Sequence, residues 1–337
     1  MFDLHQISQY RQQLMGFSII VIVLFHSPVL FNNDIGWFIH NIGNIGVELF
    51  FLLSGMGLFY SLHKSADIKQ FYRKRIIRII PSYLLVAIPW LVIEYFFSDN
   101  LPSPNFCVDL FYRITTLDFW LCKYNEFWFI PAIVFYYFLS PLLYKVISRS
   151  LKLFIGLSAG ILIFTLFLPQ IKVDNTLLQQ ILFCVFRSPC FLLGWIIAKM
   201  QFSDKEYRLR IKNEYLVGTI LVCLVLCYFI LHPYSDIHFS SEYKYTVYVP
   251  LSFLLIILFT KVVSSYLYKN LFSMYILSFG GTYSLELYLI HERIVKIMYR
   301  MHISDSLNFI ISIIIACVLA YILHKIIQFM IKVYGKL

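Results

Sequence analysis

Apolar residues fill this chain in long runs separated by short polar stretches, and that pattern predicts membrane-spanning helices. Ten runs stand out, at residues 14–31, 38–62, 79–97, 127–147, 153–169, 179–200, 215–232, 246–267, 274–292 and 306–332. A hydrocarbon core about 30 Å thick takes about 20 helical residues to cross, and most of these runs meet that length. The fold class expected is therefore all-α: one polytopic membrane domain over residues 1–337, a bundle of about ten transmembrane helices. The ninth run is interrupted by Gly280-Gly281-Thr282-Tyr283-Ser284. Broken helices at membrane depth line cavities rather than lipid. No soluble domain, low-complexity linker or internal repeat is visible. The first run follows a polar stretch and lacks a small-residue cleavage site, so no cleavable signal peptide is expected.

Composition sharpens this picture. The chain is 60% hydrophobic and 14% charged, and its mean hydropathy of +0.76 lies far from that of a soluble domain. A net charge of +10 would point to nucleic acid in a soluble protein. Here topology explains it: with the N-terminus inside, 20 of the 28 Lys and Arg fall on inner segments and seven on outer ones. That asymmetry predicts both termini in the cytoplasm and no nucleic-acid partner. The seven cysteines have no metal-ligand spacing, so no metal is expected. Five lie in apolar runs as packing residues. Cys107 and Cys122 share an outer loop, which leaves a disulfide open. Small-residue packing motifs are not prominent, and the sequence sets no oligomeric state.

A few polar residues stand out against this background. His26 lies within the first run, and with the N-terminus inside it falls in the middle or outer half of that helix. An ionisable ring in such a run is costly unless it faces a protein interior or a wet cavity, which makes it a functional candidate. The competing reading is a histidine that hydrogen-bonds a neighbouring helix. Glu48, in Gly46-Val47-Glu48-Leu49, is the expected partner that would orient the imidazole as a general base. Arg75 and Arg78, spaced i and i+3, share a helix face and could grip phosphate bidentately. Arg73 adds charge, although the excess of cytoplasmic cations explains basic residues there equally well. Arg187 is an intramembrane charge that needs a partner. Trp128 begins a second aromatic cluster, preceded by Glu126. Ser284, Glu286, Tyr288 and His291 gather near the outer end of the ninth run. Aromatic belts account for tyrosines there, but not for Glu286.

Together these segments resemble the integral-membrane acyltransferase-three family, whose members O-acylate sugars and other envelope acceptors in bacteria. The resemblance runs from Gly16 to His26, through Gly46 to Gly55, Phe71 to Tyr83, Trp128 to Pro141 and Arg187 to Gly194, and ends at Ser284 to His291. It implies a ten-helix bundle in a bacterial cytoplasmic membrane. Acyl-CoA, most commonly acetyl-CoA, would be the donor substrate, with no tightly bound cofactor. A sugar, polysaccharide or lipid-linked glycan would be the acceptor. It implies His26 as the catalytic residue, with Glu48 beside it, and Arg73, Arg75, Arg78 and Ser54 toward the CoA. Arg11, Trp128, Arg187, Ser284, Glu286, Tyr288 and His291 would line the site. The chain departs from the family pattern where an arginine commonly stands eleven residues before the histidine. That position is Met15 here, with Arg11 one turn earlier, and Gln12 replaces a frequent aspartate.

The rival class is a secondary transporter exporting an envelope precursor. Ten spans, an interrupted helix and buried charges favour it. The lack of an internal repeat and the Arg75-x-x-Arg78 pair speak against it. A family member without catalytic activity is a third reading, raised by Met15.

Overall fold

The long apolar runs become helices, punctuated where sequence chemistry demands it. A computed structural model describes residues 2–27, 33–65, 67–97, 105–122, 126–171, 173–202, 208–232, 240–299 and 305–334. In chain order the helices are α1 (His5–Gln9), α2 (Arg11–Phe25), α3 (Asp34–Ile42), α4 (Ile45–Lys64) and α5 (Ile68–Phe97). Next come α6 (Phe106–Thr115), α7 (Leu117–Cys122), α8 (Phe129–Arg149), α9 (Leu151–Phe167) and α10 (Thr176–Gln201). The last are α11 (Asn213–Leu231), α12 (Lys244–Ser265), α13 (Leu271–Thr282), α14 (Ser284–Tyr299) and α15 (Asp305–Tyr334). Two-residue strands, β1 (Phe2–Asp3) and β2 (Arg208–Leu209), pair antiparallel with Phe2 opposite Leu209. Asn33, Asn105, Ser150 and Asn270 cap helix N-termini through their side-chain oxygens. Pro81, Pro89, Pro141, Pro189 and Pro250 sit inside helices, as membrane-embedded helices tolerate.

Among the described residues, eight helical segments are long and apolar enough to cross a membrane. The first and ninth expected spans appear as shorter apolar helices, Arg11–Phe25 and Leu271–Thr282. At 1.5 Å per residue α2 is about 22 Å long and α13 about 18 Å, both short of a 30 Å core. Helix α2 ends where His26 leaves helical geometry (φ −92°, ψ 11°). Helix α13 ends at Tyr283 (φ −100°, ψ 16°), and α14 begins one residue later. The expected interruption of the ninth run is thus a break at Tyr283. The chain is a multi-pass helical membrane protein.

Two compact units divide the described residues. The first comprises Met1–Lys64, Leu142–Lys172 and Cys184–Ser284. The second comprises Ser65–Pro141, Val173–Phe183 and Leu285–Leu337.

Glycines let helices of the first unit approach closely. A Cβ on Gly16 would fall 1.9 Å from the Leu277 carbonyl oxygen, so α2 and α13 touch backbone to backbone. A Cβ on Gly55 would meet the Phe191 carbonyl oxygen at 2.2 Å, and one on Gly194 the Leu52 carbonyl oxygen at 2.0 Å, which fixes the crossing of α4 and α10. Small residues at helix contacts are the membrane solution to packing without a hydrophobic drive. The sequence reading did not single out these contact glycines.

In the second unit, α6 ends at Thr116, which adopts the left-handed conformation (φ 60°) before α7. Cys107 and Cys122 both carry free, exposed thiols, so the disulfide left open by the sequence is not formed.

Candidate active site

In the first unit, α2 carries His26 at its very end. The residue is half-buried and caps the helix rather than sitting within it. Its Nδ1 lies 2.9 Å from the Ile22 carbonyl oxygen. A carbonyl only accepts, so Nδ1 carries the hydrogen, and in the neutral ring Nε2 becomes the basic nitrogen. The Phe25 ring meets the imidazole edge-on at 5.0 Å.

The expected pairing of His26 with Glu48 is not formed. Gly46 packs on Ser18 and Ile22, and Gly43 on Val21 and Phe25, so α2 and α4 run antiparallel. Glu48 is therefore level with about Ser18, eight residues or about 12 Å along the axis from His26. Its carboxylate instead accepts from Arg187 Nη1 at 2.5 Å, with both side chains buried. Arg187 also donates to the Tyr245 hydroxyl at 3.2 Å and lies 4.7 Å from that ring's centre. Glu48 precedes Gly55 by seven residues, and Arg187 precedes Gly194 by seven. Two turns separate each charge from its crossing glycine, so the crossing that joins the glycines also joins the charges.

Arg11 donates to the Leu53 carbonyl through Nε (3.2 Å) and Nη2 (3.0 Å), and its guanidinium fills the space over Gly57. It thereby sits beside the turn that carries half-buried Ser54. Gln12, in the place of the frequent aspartate, donates to Thr282 Oγ1 at 2.6 Å and ties α2 to α13. Ser284 is buried and donates to the Gly281 carbonyl at 3.1 Å.

In the second unit, Arg73 and Arg78 are exposed on α5 and Arg75 is half-buried. The Arg75 guanidinium lies 5.3 Å from the Phe71 ring centre and 6.0 Å from that of Tyr137. Its buried Nε has no hydrogen-bond partner among the described residues. Trp128 meets Phe183 edge-on at 5.0 Å. The Tyr288 hydroxyl accepts from the Phe129 backbone N–H at 3.3 Å. His291 is buried, its Nδ1 2.8 Å from the Leu287 carbonyl. Glu286 is fully buried and bonds His324 Nδ1 at 2.9 Å, while Gln328 Nε2 lies 2.9 Å from His324 Nε2. The sequence reading passed over His324, although an imidazole in the apolar last run gives the same signal as His26.

A second group that the sequence reading did not assemble lies at the end of this unit expected to face outward. Trp90 Nε1 donates to Glu126 at 2.5 Å, and Lys296 Nζ approaches the same carboxylate at 2.7 Å. Arg293 bonds the Glu126 backbone carbonyl and lies 4.0 Å from the Phe127 ring centre. Arg113 pairs with Asp118 (2.8 Å) and Glu94 (3.2 Å). Burial pushes the Asp118 carboxyl up to about 6 although Arg113 opposes the shift. Burial also opposes ionisation of Glu126, yet Arg293 and Lys296 outweigh it and hold that carboxyl below its usual range. The residues come from five separate helices and loops, so no local motif could reveal them. Among the described residues no group of three His, Cys, Asp or Glu side chains is placed to hold a metal ion.

Residues 13–325 match the family model described as an acyltransferase domain, acyltransferase-three. The chain belongs to this family. The match covers His26, Glu48, Ser54, Arg73, Arg75, Arg78, Trp128, Arg187, Ser284, Glu286, Tyr288, His291 and His324, while Arg11 and Gln12 precede it. A protein of Acidianus two-tailed virus, ORF330, whose name suggests an acetyltransferase, is 28% identical over 200 residues. Those residues are 57% of this chain and 57% of that relative, so the match spans a little over half of each. No solved structure matches the chain significantly.

Proposed function

We propose that this acyltransferase moves an acyl group, acetyl in the first instance, from acyl-CoA to a hydroxyl of a sugar, polysaccharide or lipid-linked glycan. The proposed setting is the cytoplasmic membrane of a bacterium, with both termini inside. The observation that carries this reading is the state of His26. The Ile22 carbonyl fixes its tautomer, so a basic Nε2 is held at a helix end inside a family-matched span.

The chemistry then balances simply. The acceptor hydroxyl oxygen attacks the thioester carbonyl while its proton passes to His26 Nε2. The carbon–sulfur bond breaks, and the proton ends on the departing CoA thiolate. General base catalysis of this kind is worth roughly 10²–10⁴-fold. Arg75, whose guanidinium lies near the Phe71 and Tyr137 rings and whose Nε has no hydrogen-bond partner among the described residues, and its exposed neighbours Arg73 and Arg78 suit the phosphates of the donor. Ser54 and Arg11 are proposed near the donor. Trp128, Ser284, Tyr288, His291 and the Glu286–His324 pair are proposed to line the path. Glu48 and Arg187, ion-paired with each other, are proposed to brace the bundle rather than to move a proton.

The test uses the full chain in nanodiscs, measuring acetyl-CoA binding and release of free CoA. His26→Ala should cut CoA release by roughly 10²–10⁴-fold with donor binding kept. Arg75→Ala with Arg78→Ala should weaken donor binding. Near-normal transfer by a folded His26→Ala protein would overturn the assignment.

A further inference from the structure

On the basic face of the first unit, a cleft of about 910 Å³ opens between β1, the stretch after β2, the start of α11 and the end of α12. Nothing in the acyl-transfer reading uses it. Its rim carries Arg210, Lys212 and Lys261 against one carboxylate, Glu214. Arg210 and Lys212 are exposed, so their charges are open to a ligand. Lys261 is held in place by Asn213 Oδ1 at 2.9 Å and the Ile211 carbonyl at 3.4 Å. The β1–β2 pair braces the cleft, with buried Phe2 on its wall.

The lower wall is apolar. Val217, Leu258 and Val262 line it. From Val217 an exposed stripe continues down α11 at every fourth residue, through Leu221, Val225 and Phe229, which are 56%, 54% and 50% exposed. Fourth-residue spacing keeps them on one face. A soluble anion would need the cations alone. A molecule with an anionic head and a long apolar tail would use both the cations and the stripe.

We infer that this cleft binds an anionic phospholipid, its phosphate held by Arg210, Lys212 and Lys261 and its acyl chain laid along Val217, Leu221 and Val225. Basic pockets at helix ends on the cytoplasmic side bind such headgroups, and each cation near the surface is worth about a fivefold gain in affinity. This inference depends on the chain lying in a bilayer and not on the acyl-transfer chemistry.

The experiment takes the full chain, delipidated in neutral detergent, and measures binding by native mass spectrometry. The probes are phosphatidylglycerol, phosphatidylcholine, glycerol 3-phosphate and inorganic phosphate. Phosphatidylglycerol should bind and the other three should not compete with it. Arg210→Gln with Lys212→Gln should weaken its binding about 25-fold. Lys145→Gln with Arg149→Gln, which removes two exposed cations from α8, should leave it unchanged. Equal binding of phosphatidylcholine would overturn the inference. So would binding unaffected by the Arg210 and Lys212 changes, or equal loss in the α8 variant. Tight binding of either soluble phosphate would show instead a site for a soluble anion.

Discussion

At the residue scale, the energetics of buried charge separate the roles of the polar side chains. Glu48 and Arg187 are almost fully buried and paired at 2.5 Å. Removing one partner strands the other charge in a low-dielectric interior, a cost of about 3–5 kcal/mol. Arg187→Met should therefore lower the unfolding free energy by about that amount. The double change Glu48→Gln with Arg187→Met should be milder than Arg187→Met alone, and a double-mutant cycle from thermal or denaturant unfolding checks it. Asp118 provides a pH signature. Its carboxyl holds a proton up to about pH 6 in the folded chain but only to about pH 4 when unfolded. Between those values the folded state binds more protons, so stability falls as pH rises through the window. The melting temperature of wild type relative to Asp118→Asn should fall from pH 4.5 to 6.5. A flat difference would mean that Asp118 titrates normally.

At the element scale, backbone contact between helices outranks side-chain pattern. A methyl on Gly16 would sit 1.9 Å from a carbonyl oxygen, and relief requires α2 and α13 to separate. Overpacking of this kind typically costs about 1–3 kcal/mol, so Gly16→Ala should lower the melting temperature and loosen the α2–α13 contact. Gly160 on α9 has nothing within 4 Å of its would-be methyl. Gly160→Ala should be neutral or stabilise by up to about 1 kcal/mol, because alanine favours the helix. Parallel thermal melts of the two variants make the comparison. The same crossings explain which elements the sequence could not deliver. Hydropathy located the helices that lie in the apolar runs, and the Gly280–Ser284 interruption located the break at Tyr283. Residues 28–31 of the first run lie outside the described residues, and the ninth run is shared between α13 and the start of α14 across that break.

At the scale of the whole molecule, the membrane sets the geometry of the proposed reaction. The distribution of Lys and Arg predicts that the segment with Arg73, Arg75 and Arg78 faces the cytoplasm and that Cys107 and Cys122 face outward. Both thiols are exposed. In intact cells a membrane-impermeant maleimide should label them, whereas a cysteine at Lys69 should react only after permeabilisation. The reverse pattern would put the proposed donor site on the side where acyl-CoA is absent.

Sequence alone determined the helical membrane class, most of the spans, the acyltransferase-three resemblance and the identity of His26 as the residue to watch. Each of these follows from local composition or from residues in a fixed order, which a chain displays without folding. Tertiary structure decided the partners. Glu48 turned to Arg187 instead of His26 because the antiparallel packing of α2 on α4 sets their heights about 12 Å apart. The His26 tautomer came from its own helix, through the Ile22 carbonyl. His324 found Glu286, and Glu126 gathered Trp90, Arg293 and Lys296, across sequence separations of 36 to 170 residues. Such pairs depend on how helices cross and rotate. Glycine contacts and shape complementarity set those quantities, and hydropathy carries no record of them.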